Sequence, residues 1–139
     1  MDLETKRNAM LVNAVQSGKI VNMLANKTWL PQYFSADGSL IGNTQTKHEE
    51  EYIDVDTTKT YFIMMFKDSG TCWWSIAEYD ANEVFQNRQA TVSSGKSYGI
   101  FVTFSNPKIR FSFQYYTTGL NLFMCEESEL LNVSNFEEI

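Results

Sequence analysis

His48 is the only histidine in this 139-residue chain, and it lies in the polar run "TQTKHEEEY". A Ser-His-Asp relay needs its imidazole held by a buried acid, whereas this stretch reads as a solvent-facing loop. A zinc centre would have to gather His48, Cys72 and Cys125, whose spacing has no ligand-type pattern. Glu78 and Asp80 would share a strand face, and paired carboxylates can cleave a glycosidic bond; nothing around them marks a desolvated pair. Asp54 and Asp56 in "DVDTTK" could contribute to a Ca²⁺ site, but a polar strand edge running into a turn accounts for them. No glycine-rich phosphate loop is present. The expectation is a protein that is not an enzyme, with no cofactor and no metal.

Recognition by aromatic surface is better supported. The stretch "CWWSIAEYDANEVF", residues 72–85, places two tryptophans side by side. Neighbouring side chains of a strand point to opposite faces, so one Trp can enter a core and the other cannot. One face would carry Trp73, Ser75, Ala77 and Tyr79, mixing small and large residues as a packed core does. The other would carry Trp74, Ile76, Glu78 and Asp80, and acids do not sit unpaired in a core. Trp74 is therefore expected on an open or partly covered face.

In "IRFSFQYY" the apolar set is Ile109, Phe111, Phe113 and Tyr115; the polar set is Arg110, Ser112, Gln114 and Tyr116. If both strands belong to one sheet, its outer face offers Trp74, Glu78, Arg110, Gln114 and Tyr116. That is a carbohydrate-type surface. The C–H face of a sugar lies on an aromatic ring, and planar amide, guanidinium and carboxylate groups bond its hydroxyls. The competing expectation is that Trp74 is covered by a helix or a neighbouring subunit and that Arg110 pairs with Glu78.

The elements that would position these residues are strands. From Trp29 onward, turn signals recur regularly at "SADGS", "DVDTTK", "KDSGT", "YDANE", "SSGK", "SNPK" and "TTGL". Between them lie "YIDV", "TYFIMMF", "WWSIAEY", "YGIFVTF", "IRFSFQYY" and "LNLFMC", rich in aromatic and β-branched residues and free of Pro. This predicts an all-β fold, an antiparallel jelly-roll β-sandwich. "YFIMMF" is apolar on both faces and so predicts a central strand covered on both sides.

The first residues differ. Leu3, Met10, Leu11, Ala14 and Val15 fall at roughly helical spacing, with Asp2 as a possible N-cap and Gly18 where a helix would stop. This helix either packs on the sheet of its own domain or docks on a partner or on its own copies. The expected organisation is a helical docking or oligomerisation segment over 1–28, a β-sandwich over 29–126 and an acidic tail over 127–139.

A net charge of −6 with scattered basic residues argues against nucleic acid. The two cysteines form no CxxC and read as buried thiols. The first ten residues show no secretory pattern, and no apolar run approaches the length of a membrane span.

The order of "YFSADGSLIGN", "EEYIDVDTTKTYFI", "WSIAEYDANEVFQNR" and "IRFSFQ" resembles the small jelly-roll modules of bacteriophage tail and baseplate proteins, related in shape to carbohydrate-binding modules. The resemblance covers roughly residues 29–125. It implies a virion-located structural protein, often a trimer, made in the host cytoplasm, with other virion proteins as partners. The outer part would serve host attachment by binding a cell-surface glycan. The alternatives are an assembly or decoration protein with only protein neighbours, and a bacterial carbohydrate-binding domain separated from its enzyme.

Overall fold

The computed structural model describes residues 3–25, 29–30, 32–34, 37–38, 40–42, 46–49, 51–66, 72–94, 98–115 and 121–133. Side chains at 4, 29–34, 40–49, 72–74, 90–94, 98, 113–115 and 121 lie outside that description. One helix, α1 (Leu3–Gln16), is followed by β1 (Trp29–Leu30), β2 (Gln32–Phe34), β3 (Leu40–Gly42), β4 (Thr46–Glu49) and β5 (Ile53–Asp54). Then come β6 (Thr60–Phe66), β7 (Cys72–Tyr79), β8 (Phe85–Ser94), β9 (Tyr98–Thr103), β10 (Lys108–Tyr115) and β11 (Asn121–Glu126). A 3-10 helix, Glu127–Asn132, closes the described chain.

The fold is all-β with two main antiparallel sheets. One runs β1-β4-β10-β7-β8, with β5 also pairing with β10; the other runs β11-β6-β9, and β2 and β3 form a separate hairpin. The chain crosses between the main sheets at most connections, and β7–β8 is the long hairpin within one of them. Ile53, Ile76, Ile109 and Phe111 of the first sheet meet Tyr61, Ile63, Met65, Val102 and Met124 of the second in one buried cluster.

All six expected strands form. The strand β8, "FQNRQATVSS", carries a single aromatic, Phe85, at its start and was not expected. Its polar sequence becomes a strand by pairing along β7 at the sheet edge. His48 was expected in a loop; it lies instead in β4, where its backbone pairs with Leu30 and Ser112.

The apolar run of β6 is covered on both faces. Tyr61, Ile63 and Met65 face the other sheet, while Phe62 and Met64 join Leu11, Ala14, Ile20, Phe123, Cys125, Leu130 and Val133. The covering layer is thus α1 together with the 3-10 helix. Helix α1 ends at Gly18, whose φ is 75°. The Gly18 amide donates to the Val15 carbonyl at 3.1 Å and the Lys19 amide to that of Ala14 at 2.9 Å, a Schellman cap.

A Cβ at Gly18 would meet nothing within 4 Å, so only the left-handed backbone opposes substitution. Gly18→Ala is expected to cost about 1–2 kcal/mol in urea unfolding. A neutral result would mean that this cap is not formed in solution.

After the cap, the chain runs along the outer edge of β11. The Asn22 amide nitrogen donates to the Leu122 carbonyl at 3.0 Å, and its oxygen accepts from the Met124 amide at 3.1 Å. The Met23 amide donates to the Met124 carbonyl at 2.8 Å. One asparagine and one amide thereby cover an edge that would otherwise offer unpaired backbone groups.

Candidate functional site

Both faces of β7 are closed over its described side chains, Ser75 to Tyr79. Ile76 lies in the inter-sheet core, and Glu78, of the same parity, is fully buried at 0% exposure. Ala77 and Tyr79 lie on the opposite face, with Tyr52 and Phe85 against them. The expectation that Glu78 stands on an open face is therefore corrected. Alternation was read correctly, and Ser75, Ala77 and Tyr79 of the set expected to pack are buried; the set expected to be open is closed as well, with Ile76 and Glu78 both at 0% exposure.

Burial of Glu78 is possible because five donors converge on its carboxylate. Oε2 accepts from the Asn87 side-chain amide at 3.1 Å and from that of Gln89 at 2.7 Å. Oε1 accepts from the Ser105 backbone amide at 2.8 Å, the Asn106 backbone amide at 3.1 Å and the Asn106 side chain at 3.3 Å. Gln89 also donates to the Thr103 carbonyl at 3.3 Å. Glu78 therefore ties β7 and β8 to the turn that carries the chain from β9 to β10. A carboxylate surrounded this way is a structural hub.

Arg110 was assigned to the polar face of β10, and it lies on the face opposite the inter-sheet core, as expected. It does not pair with Glu78. Its guanidinium carbon sits 4.5 Å from the centre of the Tyr52 ring and 4.8 Å from that of Tyr79. Its Nη2 donates to the Tyr79 hydroxyl at 2.9 Å. The two tyrosines meet edge to face at 4.9 Å. Burial pushes the Tyr79 phenol above its usual value, against the hydrogen bond and charge of Arg110, which favour the ionised form.

A third layer covers this face. Gly38, between β2 and β3, approaches the Phe85 ring so closely that an added Cβ would lie 2.5 Å from it. On the same face the Ser75 and Ser112 hydroxyls, both fully buried, bond each other at 3.0 Å.

Of the five expected sugar-binding residues, Glu78 and Arg110 are thus held within the fold, on opposite faces. The side chains of Trp74 and Gln114, and the whole of Tyr116, lie outside the described residues. The Trp74 backbone pairs with Phe113 of β10. Sequence reasoning missed Asn87, Gln89 and Asn106 altogether. The polar run "FQNRQ" and the turn "SNPK" were their only signals.

The expected docking residues of α1 divide. Leu11 and Ala14 are buried against the domain's own sheet, with Met10 and Val15 packed beside them, so these four are not a free docking stripe. Leu3 stays 40% exposed. The 3-10 helix opens the expected acidic tail, yet it too is anchored, by Leu130.

Asp54 pairs with Lys108 at 2.8 Å, and Asp56 accepts from the backbone amide and hydroxyl of Thr58. The Thr58 hydroxyl bond, then its amide bond, hold the Asp56 carboxyl below the usual range. No cluster of three metal-ligating side chains occurs among the described residues.

Cys125 is fully buried, and burial, then Glu129 and Glu126, push its thiol from 9.0 up to about 12. Raised folded values mean that Cys125 and Tyr79 hold their protons more tightly in the native state. Their contribution to stability is fully present below about pH 9 and declines as the pH rises through the unfolded values of 9.0 and 10.0. Urea midpoints are expected to fall between pH 7.5 and 10.5. Iodoacetamide at neutral pH should label Cys125 in the unfolded chain and spare it in the native one, as read by peptide mapping; equal labelling in both states would contradict its burial.

No protein-family model matches the chain, and a search of curated proteins finds no significant relative.

Proposed function

We propose that the chain is a structural protein of a bacteriophage particle, of the tail, baseplate or capsid-decorating kind, acting by contact with protein neighbours rather than by catalysis. The observation that carries this reading is the strand order. β4-β10-β7-β8 faces β6-β9 with repeated crossings between sheets, which supports the jelly-roll architecture implied by the sequence resemblance. A homo-oligomer, trimeric by that same resemblance, is the expected form.

Binding to a host glycan ranks second. Glu78 already accepts five hydrogen bonds, and Arg110 is stacked between two tyrosines. Neither stands ready for a sugar hydroxyl. The same point weighs against a detached bacterial carbohydrate-binding domain.

Immunogold labelling with antibody raised against the purified chain tests the first reading. Particles released from cells that carry its gene should be decorated; antigen confined to the soluble fraction would overturn it. A printed glycan array should retain no chain. A sugar bound by the wild type and lost in Trp74→Ala, with melting unchanged, would move the function to glycan recognition.

A further inference from the structure

A groove of about 490 Å³ opens beside the start of β6, lined by Lys59, Thr60, Glu126, Glu127, Leu130 and Leu131 among others. Leu130 is buried in its floor at 4% exposure, while the adjacent Leu131 stands 87% exposed. Leu131 thus extends the apolar lining of the groove out to its rim.

The charge of the groove is one-sided. Lys59 Nζ lies 3.1 Å from Glu126 Oε1, and that hydrogen bond holds the ammonium above its usual value. Among the described residues lining the groove, the one cation is thus already matched, and exposed Glu127 leaves their net charge negative. Such a groove accepts an apolar side chain with a cation close beside it.

The chain itself presents that pair. Leu3, 40% exposed, and exposed Lys6 stand three residues apart on α1, and are therefore neighbours on its surface. They do not reach the groove of their own molecule. The Asn132 side chain donates to the Lys19 carbonyl at 3.3 Å, so it is the far end of α1 that lies beside the 3-10 helix. Leu3 starts about 20 Å away from that end, at 1.5 Å per helical residue.

We infer that the groove receives the first turn of α1 from a second copy of this chain, with Leu3 against Leu131 and Lys6 beside Glu127. This contact rests on the protein-neighbour reading above and specifies that one neighbour is a copy of the chain. If two molecules exchange both contacts the assembly is a closed dimer; if each reaches a different neighbour it is a ring or a filament.

Light scattering over a dilution series of the full chain at low salt tests this. The wild type should exceed the 16.0 kDa of one chain and return to it on dilution. Added salt should weaken the assembly, because the screening length shrinks from about 10 Å at 0.1 M to about 3 Å at 1 M. Lys6→Glu and Glu127→Lys should each weaken assembly roughly five- to tenfold. The double variant, which restores opposite charges, should return to within about threefold of wild type. Leu131→Ser should weaken assembly roughly tenfold or more while its thermal melt stays unchanged, since the side chain is exposed.

A monomer at every concentration would overturn the contact, as would a double variant no better than its parents or a Leu131→Ser that assembles like wild type. Decorated particles together with a monomeric chain would sink this contact alone and leave the reading of a particle protein standing.

Discussion

Replacing Glu78 by alanine is expected to destabilise the protein by about 3–5 kcal/mol, the cost of leaving the partners of a buried charged group without their acceptor. Five donors would lose their acceptor at once: the side chains of Asn87, Gln89 and Asn106 and the backbone amides of Ser105 and Asn106. They belong to β7's neighbour β8 and to the turn joining β9 with β10, so the damage would fall on the seam between the two sheets.

Glu78→Gln keeps the shape but turns one acceptor oxygen into a donor facing other donors. Its expected cost is smaller, about 1–3 kcal/mol. Urea unfolding with an unchanged slope would measure both, because a constant slope means that the surface exposed on unfolding has not changed. A loss under about 1 kcal/mol in the alanine variant would mean that the hub is not formed in solution.

Deleting residues 1–25 is expected to abolish the folded domain rather than release a free-standing sandwich. Leu11 and Ile20 cover Phe62, Met64 and Phe123, while Leu24 enters the core between the sheets. At about 2 kcal/mol for each of the three large side chains, the loss is roughly 6 kcal/mol. That lies within the 5–15 kcal/mol, approximately, by which whole domains are stable.

The deletion also strips Asn22 and Met23 from the β11 edge, exposing a strand to pairing with other chains. The truncated chain should therefore be insoluble or lack a cooperative melt by circular dichroism. A soluble product melting close to the full chain would show that the helix is an appendage. Asn22→Ala separates the two effects, since it opens the edge and leaves the apolar cover in place.

Helix and strands differ in how far they could be read from the residues. Gly18 stops α1 because only a residue without a Cβ takes its backbone angle without strain. β6, β7, β9 and β10 announce themselves through aromatic and β-branched runs between turn residues. The two-sided burial of β6 follows from a strand that is apolar at consecutive positions, whatever covers it. These features depend on the local preferences of each segment, and the amino-acid order alone determines them.

The candidate site depended on long-range placement. Alternation divides β7 into two sets but does not say which set faces inward, because either face can be buried once a third layer exists. Here Gly38, Tyr52 and Phe85 supply that layer beside Tyr79 and Arg110. Glu78 was assigned outward because a lone acid is excluded from a core; its donors lie 9 to 28 residues away along the chain. β8 likewise has no strand signal of its own and takes its form from β7. The sequence by itself determined the strands that carry aromatic and β-branched runs, whereas only tertiary contact made strands of β4 and β8 and decided which faces are closed, since both need partners that local order does not specify.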